Sequence, residues 1–181
     1  MLNHPGIKVN QHDLTGFTAL HHATQRVRVE FISLLLDQPS ISINVPDMNG
    51  HTSLHLIAYS GHFDCIKLLL NQKNIHVNVQ AITGSSPFLL AVQSGYSDYF
   101  KLFLSRNDIN VTSSHNLGNT SLHYAAAHSN VELVKLLLSS EDTNVNLGDV
   151  DGMTTLHTAV HEDDRECVEL QLQHKDIDVN T

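Results

Sequence analysis

Basic residues are scarce in this chain. Of 181 residues only ten are Lys or Arg, against nineteen Asp or Glu, and the formal charge is −9 with His neutral. The ten are scattered, which leaves no basic patch to hold nucleic acid or an acidic membrane surface. No apolar run approaches the ~20 residues that a membrane span needs. The N-terminus also lacks the charged-then-apolar pattern of a secretion signal, which fits a cytoplasmic chain; a nuclear protein or a host-delivered effector would fit too. Cysteine is rare as well, only Cys65 and Cys167. Signatures of catalysis are missing: no Gly-x-Ser-x-Gly elbow, no His-Glu-x-x-His and no phosphate-cradling glycine loop. The expectation is a chain that is not an enzyme and has no catalytic residue, cofactor or metal.

What the chain does have is a repeat. Gly16, Gly50, Gly84, Gly118 and Gly152 stand 34 residues apart, and near-copies of one motif follow them. The copies read Thr18-Ala19-Leu20-His21, Thr52-Ser53-Leu54-His55, Ser86-Pro87-Phe88-Leu89, Thr120-Ser121-Leu122-His123 and Thr154-Thr155-Leu156-His157. A fixed period of this size means one supersecondary unit stacked on itself. Such units bury their apolar sides only against neighbours, so residues 1–181 read as one elongated domain. The units are 11–44, 45–78, 79–112, 113–146 and 147–180, with 1–10 as the tail of a preceding unit. Ile7-Lys8-Val9-Asn10 matches Ile177-Asp178-Val179-Asn180, so the chain opens and closes in the same phase. That reads as a piece of a longer array; a natural start with a bare hairpin arm is the alternative. The two cysteines share one phase three periods apart. At roughly 10 Å per layer they would lie about 30 Å apart, beyond disulfide reach, and they read as small buried hydrophobes in a reducing compartment.

Local signals agree from unit to unit. A hydroxyl residue precedes each apolar run and can cap a helix start, and Pro87 sits where a first helical residue tolerates it. The first unit predicts a short helix over 19–26 and a second over 29–37. Gly61 and Gly95 suit left-handed caps between the two helices. Val27, Ser129 and Asp163 hold that place elsewhere, and a β-branched residue fits it poorly, so the first unit is expected to be irregular there. Asp64 with Lys67, Asp98 with Lys101 and Glu132 with Lys135 read as ion pairs within the second helices. Gln171 replaces a Leu or Phe, which reads as an uncovered terminal face.

The Leu-His-x-Ala starts, Gly61-His62 and the Val-Asn ends resemble the ankyrin repeat over essentially the whole chain. The resemblance implies an all-α solenoid of stacked helix-turn-helix units with β-turn hairpin arms. The period departs from the family's usual 33, Leu89 replaces the repeat histidine in the third unit, and the family's Gly-Ala is missing before Val-Asn. The resemblance also implies that His21, His55, His123 and His157 bridge backbone groups between units. Read alone, His157 and His161 form an i,i+4 pair that zinc could use. Membership of the repeat makes a structural part the better reading, and the spacing fixes no third ligand.

What the stacking leaves unconstrained is free to recognise something. The family binds proteins on a concave face of hairpin tips and first helices. The candidate contacts are Leu14, Phe17, Arg26, Met48, His51, Tyr59, Ile82, Gln93, Leu117, His128, Val150, Met153, His161 and Glu162. The aliphatic members could equally pack unit against unit; Phe17 and Tyr59 lean toward contact, because aromatic residues are the commoner anchors. The expected function is a non-catalytic protein-protein interaction module, scaffold or adaptor, monomeric as an isolated piece. The alternative is the recruiting segment of a multidomain enzyme or bacterial effector whose catalytic part lies elsewhere. A weaker reading makes Asn44, Asn78, Asn146 and Asn180 hydroxylation substrates, as occurs in similar hairpins.

Overall fold

The computed structural model describes residues 8–95 and 97–180. The predicted match at Ile7 and the rest of the tail's first seven residues lie outside them. The described residues form ten helices in five antiparallel pairs, in the order α1 Ala19–Gln25, α2 Val29–Leu36, α3 Ser53–Ser60, α4 Phe63–Leu70, α5 Pro87–Gln93, α6 Ser97–Leu104, α7 Ser121–Ala127, α8 Val131–Leu138, α9 Thr155–His161 and α10 Arg165–Leu172. Equivalent helices start 34 residues apart from pair to pair, and each pair packs on the next. Among the described residues β structure amounts to two isolated bridges, Ser114 with Thr120 and Gly148 with Thr154. The architecture is therefore the all-α solenoid that the resemblance implies.

The first four layers contribute the same positions to one continuous core, and their equivalents in the fifth, Leu156 and Val168, are half-buried. Leu20, Leu54, Phe88 and Leu122 are buried from the first helices, and Ile32, Ile66, Phe100 and Val134 from the second. The hairpin glycines explain their own recurrence. Gly118 has φ +82°, and a Cβ there would sit 2.7 Å from Asp149 Cα in the next hairpin. Both the left-handed backbone and the close approach demand glycine.

Three expectations need correction. The corner at Val27 is regular: Val27 (φ +55°), Ser129 (+49°) and Asp163 (+55°) take the same left-handed turn as Gly61 and Gly95. The Arg28 N–H donates to Ala23 O at 2.8 Å across that turn, so the stacked helices hold a geometry that valine alone disfavours. Two of the three lysines reach between layers: Lys101 meets Glu132 at 3.2 Å and Lys135 meets Glu166 at 2.8 Å. These pairs are exposed and contribute little each. Finally, Gln171 is fully buried. Its Oε1 accepts from the Thr155 hydroxyl at 2.7 Å, and its Nε2 donates to the Thr155 carbonyl at 3.3 Å. In two other layers Ser53 and Ser121 stand at the Thr155 position, facing no such amide, and their buried hydroxyls have no partner. The polar residue at 171 thus satisfies a polar neighbour and does not mark a bare face.

Candidate functional site

The hairpin tips are aligned by their own backbone. Met48 N–H donates to Thr15 O (3.2 Å), Ile82 N–H to Asn49 O (2.9 Å), Asn116 N–H to Thr83 O (2.8 Å) and Val150 N–H to Leu117 O (3.0 Å). This ladder fixes the tips in line and turns their side chains away from the stack. Leu14 is 93% exposed, Met48 and Ile82 70% each, Val150 64% and Leu117 52%. The alternative that these aliphatics pack unit against unit is therefore ruled out for the tips. Asn116, not Leu117, holds the Met48 and Ile82 position, and its side-chain amide donates to Ile82 O at 2.8 Å. The apolar line is broken there by a polar crosslink.

Three of the five tips, the first, second and fifth, are braced from inside by an acidic side chain. Asp13 Oδ1 accepts from the backbone of Thr15 (2.8 Å) and Phe17 (3.0 Å), and Asp47 and Asp149 do the same in their hairpins. The Thr15 hydroxyl, then His22, then these backbone bonds hold the Asp13 carboxyl well below the usual carboxylate range. Phe17 is half-buried, its ring on those of His21 (5.4 Å) and His22 (5.3 Å). His51, one period on, lies 5.6 Å from the His55 ring, edge to face. Ser85, next in that phase, is buried and unavailable.

A second feature lies along the C-terminal ends of the first helices. Tyr59, Gln93 and His128 line one open groove of about 590 Å³ together with Ser94, Tyr124 and Ala127. The His128 Nε2–H donates to Gln93 O at 2.9 Å, closing its floor between α5 and α7. Tyr59 is largely exposed. The part of Tyr124 was missed in the sequence. It lies one helical turn before His128, and that i,i+4 spacing could have shown it. Met153 and His161 line a separate pocket of about 320 Å³ with Leu156, Val160 and Val179 at the open end of the last layer. Glu162 pairs with His161 at 3.0 Å. Arg26 is exposed in the first layer, apart from both recesses.

The repeat histidines are structural crosslinks. His55 Nδ1 accepts from the Thr52 N–H at 3.0 Å, and Nε2–H donates to Ser85 O of the next layer at 3.2 Å. A carbonyl can only accept, so the ring is neutral with its proton on Nε2. His21 and His123 repeat this with His51 O (3.2 Å) and Met153 O (3.0 Å). Burial, the largest cause, pushes the His55 imidazole down to about 4 and lowers His21 and His123 as well. His157 Nδ1 is held by Thr154 N–H (3.2 Å) and His161 Nδ1 lies against Glu162. Neither ring therefore offers that nitrogen to a shared ion. Among the described residues no three His, Cys, Asp or Glu side chains cluster to hold a metal. Cys65 and Cys167 are free and buried. Burial and the neighbouring Asp164 push the Cys167 thiol up to about 12, so it is no nucleophile at neutral pH.

No described helix is long and apolar enough to cross a membrane. A family model described as ankyrin repeats (3 copies) matches residues 1–81 and 86–181. No curated protein matches the chain.

Proposed function

Because the chain belongs to the ankyrin-repeat family, whose arrays generally serve as protein-protein interaction modules, we propose that it binds a protein partner along its hairpin tips and first helices. The observation that carries this reading is the line of exposed apolar side chains at Leu14, Met48, Ile82 and Val150. Apolar side chains left in water in a row mark an interaction site, and here the backbone ladder holds them rigid, with Asn116 interrupting the row between Ile82 and Val150. A pre-formed face loses little ordering entropy on binding. Tyr59 and Tyr124 in the groove beside it are the aromatic anchors, with Gln93 and His128 as polar rim. Part of a scaffold, adaptor or substrate-recruiting protein in a reducing compartment is the role that suits this face. The hydroxylation reading finds less support: the Asn44, Asn78 and Asn146 amides each tie into the following loop.

The test separates binding from folding. Met48→Ser, Ile82→Ser and Val150→Ser combined, with Tyr59→Ala, should weaken capture of the partner from cell extract at least ~100-fold. Anchor losses of about 1–2 kcal/mol apiece predict that much. The thermal midpoint should stay within a few degrees of the parent, since these side chains touch solvent. Capture unchanged by all four substitutions would move the interface elsewhere. A collapse of helical signal would place those side chains in the core.

A further inference from the structure

We propose that the junction between the third and fourth layers is a hinge, stitched on the tip side and open on the loop side. This does not depend on what the tips bind. Each of the other junctions carries the same two side-chain links beside its hairpin backbone bond. One is the histidine just described. The other is an asparagine at the end of each layer that clamps the outer loop of the next. Asn44 Nδ2 donates to Asn74 O (2.7 Å) and its Oδ1 accepts from His76 N–H (2.8 Å). Asn78 does the same with Asp108 O (2.6 Å) and Asn110 N–H (2.8 Å), and Asn146 with Asp176 O (2.7 Å) and Asp178 N–H (2.8 Å). Even Asn10 holds Ser40 O and Ser42 N–H in this way, at 2.7 Å each.

Between the third and fourth layers both devices are gone. Leu89 stands for the histidine and Thr112 for the asparagine. Thr112 turns back on its own loop instead, its N–H and hydroxyl both bonded to Asn110 Oδ1 (2.9 and 2.8 Å). Among the described residues nothing replaces the clamp on the 142–144 loop. The packing follows the bonds. Ile43, Val77 and Val145 are buried at their junctions, while Val111 at the same position is only half-buried. Of the four consecutive pairs of second helices, α6 and α8 make the thinnest contact. Val111 and Thr112 line a crevice of about 50 Å³ with Asp142, Thr143 and Asn144.

The opposite side of this junction gains links. The Ser86 and Ser113 hydroxyls meet at 2.8 Å, Asn116 reaches Ile82 O, and His128 reaches Gln93 O. On the tip edge three links replace the one lost histidine bond, while the loop edge loses its clamp and keeps the exposed Lys101–Glu132 pair (3.2 Å), which contributes little. That imbalance defines a hinge line. Rotation about it parts the outer loops and draws the tips together. The groove of Tyr59, Gln93, Tyr124 and His128 spans the line, so its width follows the angle.

The test restores the missing clamp. Thr112 is exposed, so Thr112→Asn should fold. Amide exchange read residue by residue should show Asn144 N–H exchanging at least ~10-fold faster than His76 and Asn110, its counterparts. That ratio follows from losing a hydrogen bond of ordinary strength. Thr112→Asn should close the gap. Spin labels at Lys73 and Glu141, which straddle the hinge, should give a broader distance distribution than labels at Pro39 and Asn107, which do not. Thr112→Asn should narrow the first, and Asn78→Thr should broaden the second. Equal widths in the parent protein, or Asn144 exchange indifferent to Thr112→Asn, would overturn the proposal.

Discussion

Unfolding midpoints in denaturant are expected to hold steady above pH ~6.5 and to fall steeply from there toward pH 4. The cause is the set of neutral histidines between layers. In the unfolded chain an imidazole takes up a proton near pH 6.5. In the fold His55 resists until about 4, because burial disfavours the cation. Protonating Nδ1 would also break its bond from Thr52 N–H. A folded value below the unfolded one means that the unfolded state binds protons first as pH falls. The stabilisation is therefore complete above the unfolded value and is lost on the way down. For His55 alone the loss by pH 4 is roughly 3 kcal/mol, from about two and a half units at 1.36 kcal/mol each. His21 and His123 shift in the same direction. Against a total of about 5–15 kcal/mol for an ordinary domain, this is a large part of the array's stability. Urea titrations followed by far-ultraviolet circular dichroism at half-unit pH steps would show it. A midpoint level from pH 7 to 4.5 would refute the assignment. The variant His55→Leu, which copies the native Leu89 one layer on, should flatten the curve by about one proton.

Phe88→Ala should do more than lower stability. Phe88 is fully buried, and its ring meets Phe103 edge to face at 6.1 Å. Removing a buried phenylalanine side chain costs about 3–5 kcal/mol. The residue lies in the middle layer, and in a stacked array each layer is held only by its neighbours. Weakening the middle one uncouples the first two layers from the last two. The expected result is an early, broad transition with a reduced apparent m-value, which a second step follows. Leu122→Ala, one layer on, creates a smaller cavity and should keep a single transition. If Phe88→Ala unfolds in one sharp step with an unchanged m-value, the layers are more strongly coupled than a nearest-neighbour stack allows.

The fold was legible because its rules are local and repeated. Thr18 caps a helix because a hydroxyl one residue before an apolar run satisfies a free N–H, and the same reading holds at Thr120 and Thr154. The errors share a cause, since each concerned a residue whose partner lies beyond its own helix. Spacing pairs Lys101 with Asp98, three residues back, but in the fold it reaches Glu132. Gln171 reads as bare in a linear sequence, and only folding brings Thr155 beside it. Val27 should refuse a left-handed turn by its own preference, and tertiary contacts overrule it. The candidate contact residues were partly legible. Period and phase picked Met48, Ile82 and Val150, whose exposure follows from the hairpin. The groove was not, because Tyr59, Gln93 and Tyr124 meet only when three successive layers are superposed.

The hairpins carry one more implication, for the kind of recognition they permit. In the second hairpin every main-chain N–H from Asp47 to His51 already has an acceptor: His51 O, Thr15 O, the Asp47 carboxylate or Asp47 O. The fifth hairpin, from Asp149 to Met153, is saturated in the same way. A visiting peptide therefore finds no donor there to zip against and cannot be annexed as an extra β-strand. Selectivity at those two hairpins rests on the character of a few protruding groups. It can be rewritten by exchanging them while the main chain beneath stays as it is.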